Sequence, residues 1–346
     1  MTLYIAESQV MKHTTKLALA LATTSFTSAV FACASCGCTL SSDWGAQGLS
    51  SQAGWSIDVR LDALNQDQLR SGTGTISGAN AGQVINPSTG NPAEVEKFTN
   101  NRYLTTTLDY NQGETWGVTL TVPYIDRDHS TLGTGSDGTN PGPNGDSYDS
   151  HGAGLGDVRV VGRYYGFSEA KNFGIQYGLK LPTGATSQMS NDGAIAVDPG
   201  LQLGTGTTDL ILGAYYFDNL NQNWDYFVQA QFQSTLANGY MSNGGNGGSY
   251  RPGDSVNLTG GLRYQGFETF TPEIQINARN ANADSGTIAD TYATGGTLVY
   301  LTPGVTIPVT DRLSVHTNLQ IPIYQNLNGI QLAPTSILSV GASFKF

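Results

Sequence analysis

The chain has 346 residues and a formal net charge of −11, with 12 % charged and 38 % hydrophobic residues. The acidic balance excludes nucleic acid as a partner, because phosphate binding needs a basic surface. No run of 18 apolar residues follows the N-terminal region, which excludes a membrane protein built from helices. Abundant glycine and tyrosine, with few strong helix formers, instead favour strands and turns.

The N-terminal residues 1–32 are predicted to be a signal peptide, with translation starting at Met11. A short basic segment begins at that methionine, and an apolar and small-residue stretch follows from 17 to 30. Ala32 suits the position before the cut, since signal peptidase requires small residues there. We therefore expect cleavage after Ala32 and export of the mature chain.

The next segment, 33–52, contains all three cysteines and is expected to lie in the periplasm. Cys33, Cys36 and Cys38 fall within six residues of one another. Three thiolates can bind a soft metal such as Cu(I) or zinc. The alternative is a local disulfide beside a free or lipidated Cys33, since an exported chain meets an oxidising compartment. The sequence does not support haem attachment, because no Cys-x-x-Cys-His is present.

From residue 53 to 346, segments of about ten residues alternate apolar and polar side chains, and each is followed by a turn. Strict alternation sends successive side chains to opposite faces of a β-strand. In the first segment Trp55 and Val59 fall on one face, and Asp58 and Arg60 on the other. We count twelve such segments: 55–62, 104–110, 116–124, 158–164, 173–181, 210–216, 224–232, 256–264, 274–278, 299–309, 313–321 and 338–346.

The connectors between these segments alternate in length, five short and six long. The long ones are predicted at 67–100, 127–156, 183–207, 234–254, 280–296 and 322–334. Short periplasmic turns and long external loops are typical of bacterial outer-membrane barrels with even strand numbers. A soluble β-sandwich is the alternative, but its loops need not alternate in this way. The pattern therefore predicts an all-β fold, a transmembrane antiparallel β-barrel of about twelve strands in the bacterial outer membrane.

Barrel closure satisfies every backbone group within lipid, so the polar face of each strand must point inward. One interpretation is a polar channel whose charges select solutes. The other is an ion-pair network that fills a narrow lumen and stabilises it. The residues predicted to line the lumen are Asp58, Arg60, Asp62, Asp109, Arg159, Arg163, Lys180, Gln229, Gln231, Arg263, Glu273, Arg279 and His316.

The last strand places Phe346 on the same face as Phe344 and Val340. A terminal phenylalanine after alternating apolar residues is typical of chains that the barrel assembly machinery inserts. The expected partners are therefore that machinery, outer-membrane lipid and a small-molecule solute.

Short glycine-rich motifs recur at strand ends, in a fixed order along 100–346. They are Gly154–Arg159, Leu179–Gly184, Leu203–Gly206, Tyr250–Asp254, and Gly295–Gly296 ahead of Tyr300–Gly304. In this order they resemble the outer-membrane family named for the MetA pathway of phenol degradation. The resemblance implies a transporter-like barrel, with aromatic or other hydrophobic small molecules as solutes of some members. It implies no catalytic residues.

The leading hypothesis is therefore a non-enzymatic outer-membrane channel or transporter for small molecules, with no certain cofactor. The alternative is a metal- or redox-linked surface protein that uses the cysteine cluster. A third hypothesis is an enzyme of the outer-membrane phospholipase type with His316 as its base. His129 and His151 flank an aspartate-rich connector, which is either a cation site or a solvated external loop.

Overall fold

The computed structural model describes residues 53–241 and 247–346. The predicted signal peptide and the cysteine-containing segment lie outside the described residues. The strands in chain order are β1 (Gly54–Gly72), β2 (Gly74–Thr75), β3 (Glu94–Asn111), β4 (Trp116–Thr134), β5 (Tyr148–Leu155), β6 (Val158–Tyr164), β7 (Phe173–Leu181), β8 (Asp209–Asn221), β9 (Trp224–Thr235), β10 (Gly239–Met241), β11 (Gly248–Tyr250), β12 (Ser255–Tyr264), β13 (Thr271–Ala281), β14 (Gly296–Pro308) and β15 (Leu313–Lys345).

Helix is confined to a single turn, α1 (Gly78–Ala81), and a 3₁₀ turn at Pro199–Leu201 within the described ranges. No helix in this part of the chain is long and apolar enough to cross a membrane.

The sheet closes on itself. Its order is β15-β14-β13-β12-β9-β8-β7-β6-β4-β3-β1, and β1 pairs again with β15. Every one of these pairings is antiparallel. The two short strands β2 and β5 extend the edges of β1 and β4, and β10 pairs with β11 apart from the barrel. The prediction of a closed antiparallel β-barrel is confirmed.

The strand β15 is 33 residues long and serves two neighbours. Residues 314–327 pair with β14, and residues 327–345 pair with β1. Gly329 lies between the two halves with a φ of +48°. The predicted loop 322–334 is therefore wrong, because β14 pairs with this stretch as far as Leu327 and β1 pairs with it again from Ile330 onward. Leu327 and Leu332 are buried within it.

The same correction applies to other predicted connectors, since β1, β3 and β4 run beyond the segments recognised from alternation. Their extensions carry charged or polar residues on the outer face, such as Arg102 and Asp126, so the apolar half of the pattern stops there. Below that level the outer face is apolar and exposed, as at Trp55, Leu61 and Tyr124. This apolar belt has the character of a lipid-facing surface.

Aromatic rings crowd the short-turn end of the belt. Trp55 lies 4.7 Å from Tyr110 between ring centroids, and Trp224 lies 5.0 Å from Tyr264. Rings at this height suit the interface between hydrocarbon and water.

Candidate functional site in the barrel interior

One half of the interior is packed shut by polar side chains. They project mainly from β1, β3, β6, β13, β14 and β15, and all are buried. We call this group the polar core: Asp58, Arg60, Asp62, Asp109, Arg163, Gln275, Asn277, Thr302, His316 and Gln320. Such a group is stable only because its charges and amides bond one another.

Arg163 and Asp109 form an ion pair with two hydrogen bonds in the polar core. The guanidinium meets the carboxylate through two bonds, Nη1–Oδ1 at 2.5 Å and Nη2–Oδ2 at 2.7 Å. Nη1 also donates to the hydroxyl of Thr119 at 2.9 Å. Gly117 makes room for this arrangement, because a Cβ there would lie 2.6 Å from the guanidinium carbon. A second pair joins Arg60 Nε to Asp62 Oδ1 at 2.8 Å.

His316 bonds the carboxylate of Asp58, with Nε2 2.8 Å from Oδ2. Ser343 donates its hydroxyl to the same oxygen at 2.5 Å. A hydrolytic triad needs the serine on the histidine, so that the imidazole can take its proton. Here serine and histidine share the aspartate instead, which does not favour the hypothesis of a phospholipase-type enzyme.

The other half of the interior holds a cavity of about 350 Å³. Its lining includes hydroxyl and amide side chains, among them Thr105, Thr121, Gln176, Gln229, Gln231, Gln233, Asn257 and Thr259. It also includes the apolar or aromatic side chains Tyr103, Ile125, Val161, Leu203 and Tyr250. This volume falls within the range of small-molecule sites.

The thirteen residues predicted to line the lumen thus fall into three environments. Those on the cavity wall are Arg159, Lys180, Gln229, Gln231, Arg279 and Arg60, which lies where the polar core borders the cavity. Asp58, Asp62, Asp109, Arg163, Glu273 and His316 are buried away from it. Arg263 pairs with Asp225 at 2.6 Å near the short-turn end and is 30 % exposed.

Lys180 bridges two carboxylates at the cavity wall. Its Nζ lies 3.1 Å from Asp157 and 3.0 Å from Asp209. Asp157 stands in the two-residue break between β5 and β6 and also accepts hydrogen bonds from the backbone N–H groups of Gly184 and Thr205. Asp157 stands within the motif Gly154–Arg159, and Asp209 follows the motif Leu203–Gly206. Neither aspartate was predicted to line the lumen.

The segment 182–208, between β7 and β8, folds into the barrel. Arg127 of β4 donates to the carbonyl oxygens of Gly200 at 3.4 Å and Gln202 at 3.2 Å. The side chain of Leu203 is buried in an apolar cluster with Tyr103 and Ile125 of the barrel wall. A predicted external loop therefore forms part of the interior.

A second, smaller cavity of about 60 Å³ lies on the long-loop side. We call it the acidic antechamber, because five carboxylates line it: Glu94, Glu96, Asp198, Asp284 and Asp290. All lie beyond the apolar belt. Burial, and then the charge of Asp198, raise the pKa of Glu96 to about 7. Burial also raises the pKa of Glu94, Asp198 and Asp284.

This antechamber predicts a pH dependence of stability. The pKa of Glu96 is about 7 in the folded protein against an ordinary value of 4.5, so its stabilising contribution is complete below pH 4.5 and is lost as pH rises through 7. Glu96→Gln should therefore raise the free energy of unfolding at pH 8 by up to about 3 kcal/mol, with no gain at pH 4. Urea unfolding at both pH values measures this. Glu114→Gln, at an exposed carboxylate, is the control, and an equal gain at pH 4 and pH 8 would contradict the prediction.

The two histidines of the predicted aspartate-rich loop lie on strands instead. His129 on β4 is buried and bonds Thr99 Oγ1 through Nδ1 at 2.8 Å, and burial, helped by Arg127, lowers its pKa to about 3. His151 on β5 is exposed, 2.8 Å from Asp128 and 4.0 Å from Asp126. The oxygen and nitrogen atoms of this outer group lie within 4.8 Å of one another.

The chain was compared with known protein families, curated proteins and solved structures. No family model matches the chain, and no curated protein matches it. Among solved structures, it is similar to the COG4313 outer membrane channel from Pseudomonas putida F1, with a TM-score of 0.58 and 13 % identity over 89 % of this chain and 100 % of that one.

Weaker likenesses include two transport proteins. The CymD monoaromatic hydrocarbon channel has a TM-score of 0.43 and 8 % identity, over 88 % of this chain and 92 % of that one. The Ralstonia pickettii toluene transporter TbuX has a TM-score of 0.44 and 11 % identity, over 85 % and 90 %. At such identities the likeness concerns the fold, and the chain has the fold of an outer-membrane β-barrel.

Proposed function

We propose that this protein is an outer-membrane channel for small hydrophobic or aromatic solutes and has no enzymatic activity. The observation that carries the proposal is the cavity of about 350 Å³ inside a closed barrel. A barrel with an apolar outer belt must sit in lipid, and a cavity in its interior then lies on the path between the two sides.

The lining of the cavity supports an amphipathic or aromatic solute. Tyr103, Ile125 and Leu203 offer apolar contact, while Gln231 and Asn257 offer amides that can bond a hydroxyl or carbonyl group. Ligand sites commonly combine a mainly apolar wall with a few polar groups that set orientation. The sequence resemblance to the family named for phenol degradation, which no family model bears out, implies the same class of solute.

Some of the charges on the cavity wall are paired with one another. Lys180 is matched by Asp157 and Asp209, and Arg60 is matched by Asp62. Arg159 and Arg279 instead bond the amide oxygens of Gln231 and Asn257. Polar groups that are already bonded in this way keep the interior hydrated or satisfied without closing it to an uncharged solute.

We further infer that the barrel has twelve passes and that the short turns face the periplasm. Antiparallel neighbours alternate in direction, so a closed ring needs an even number of passes. The eleven elements meet this condition if β15 counts twice, once beside β14 and once beside β1.

Liposome swelling tests the proposal. Vesicles containing the purified protein should swell faster than empty vesicles when the solute is a small uncharged aromatic alcohol. The same protein-containing vesicles should swell more slowly when the solute is a trisaccharide. Empty vesicles correct for diffusion of the solute through lipid. Equal swelling with and without protein for every solute would contradict it.

A further inference from the structure

The two cavities share part of their lining. Pro199 and Gly200 of the inward segment, and Tyr250 and Asp284 from the opposite side, border both the acidic antechamber and the larger cavity. Any solute that moves between the two cavities by this route must therefore pass these four residues. We call them the neck.

The two sides of the neck are held by different elements. Tyr250 ends β11, is 1 % exposed and donates its hydroxyl to Asp284 Oδ2 at 2.7 Å. The other oxygen of Asp284 accepts the backbone N–H of Gly253 at 2.9 Å. The aromatic ring is thus fixed in place by a buried carboxylate.

The inward side is fixed at its tip and at its base. Arg127 holds the tip through the carbonyl oxygen of Gly200. At the base, Asp157 bonds both stems of the segment, through Gly184 and Thr205. The stems also touch directly, since a Cβ on Gly184 would lie 2.6 Å from Cα of Gly204. A segment tied at these points keeps a defined position against Tyr250.

We propose that the neck is the size filter of the channel, with the ring of Tyr250 setting the limit and with Arg127 and Asp157 as positioning residues. This inference rests on the proposed function, because a filter matters only if solutes pass. It predicts that removal of the ring admits larger molecules into the cavity. A larger side chain at Gly200, which is not at positive φ, should exclude smaller molecules.

Thiol labelling tests the neck without reference to flux. Cys33, Cys36 and Cys38 are replaced by serine, and Gln231→Cys provides a reporter on the cavity wall. Intact cells are treated with a small methanethiosulfonate or with a bulky membrane-impermeant maleimide. Asn191 belongs to the segment 182–208 and is exposed. Asn191→Cys therefore provides a reporter outside the neck, which corrects for the reactivity of each reagent.

Tyr250→Ala should raise the rate of the bulky reagent at the reporter by about tenfold, the effect of a barrier lower by about 1.4 kcal/mol, and leave the rate at Asn191→Cys unchanged. Tyr250→Phe keeps the ring, so it should keep the size limit. Gly200→Phe should slow the small reagent. Asp225→Asn, a lumen change at the other end of the barrel, should alter neither rate.

The inference fails if Tyr250→Ala leaves the ratio of the two rates as it is in the parent, or if the reporter reacts with neither reagent in that variant. Retention of the folded, SDS-resistant barrel excludes unfolding as the cause of faster labelling, and Gly200→Phe gives a change in the opposite direction that unfolding would not produce. The labelling rates could change as predicted for the neck variants while vesicles show no solute flux. That result would reject the proposed function and still support the neck as a size filter.

Discussion

Replacement of Arg163 by alanine should lower the free energy of unfolding of the barrel by about 3–5 kcal/mol, the usual cost of leaving one partner of a buried ion pair uncompensated. Arg163 is 1 % exposed and both its Nη atoms bond Asp109. Urea unfolding in lipid vesicles, followed by tryptophan fluorescence, measures the change.

Two further variants sharpen this prediction. Arg102→Ala removes a contact of 3.8 Å to Asp126 on the outer face, where the arginine side chain is 63 % exposed, so it should cost less than about 1 kcal/mol. The double replacement Arg163→Leu with Asp109→Leu should recover much of the loss, because it removes both buried charges. A cost for Arg163→Ala as small as that for Arg102→Ala would show that the pair is not buried in the folded protein.

Phe227→Ala should open the short-turn end of the cavity and raise single-channel conductance several-fold. Phe227 and Tyr215 are buried on the inner face, while Gln229, two residues further along β9, already borders the cavity. The ring of Phe227 lies across Gly261, where a Cβ would come within 2.5 Å of it. Loss of the ring therefore extends the cavity, at a cost of about 3–5 kcal/mol in stability.

Phe232→Ala is the matched control on the same strand. Phe232 faces outward and is 39 % exposed, so its loss should leave conductance unchanged. Planar bilayer recordings of the two variants and the parent measure the difference. Equal conductance of the parent and Phe227→Ala would mean that the buried rings of Phe227 and Tyr215 do not limit the passage of ions through the barrel.

Alternation was enough to predict on which face of the barrel a side chain lies. Trp55 and Leu61 are exposed on the outer face, and Asp58 and Arg60 are buried, because a period of two is a local property of the strand. The same reasoning failed where strands leave the lipid. Beyond Arg102 and Asp126 the outer face becomes polar, so strand and loop have similar sequences there.

The partners of the inner residues were not predictable in the same way. Asp109 meets Arg163 across 54 residues of sequence, and Asp58 meets His316 across 258. Which side chains meet depends on strand register, curvature and closure, and on glycines such as Gly117 that let an arginine lie flat across a neighbouring strand. None of these can be read from one strand alone.

The inward course of 182–208 was also decided by tertiary structure. Its sequence is that of an external loop, rich in glycine and polar residues, and contacts with Arg127, Asp157 and the apolar cluster around Leu203 help to hold it inside. The sequence by itself therefore determined a barrel with an apolar outside and a polar inside, because both follow from a local period of two. The tertiary structure decided which half of that inside is filled and which half is open, because that depends on contacts between residues far apart in the chain.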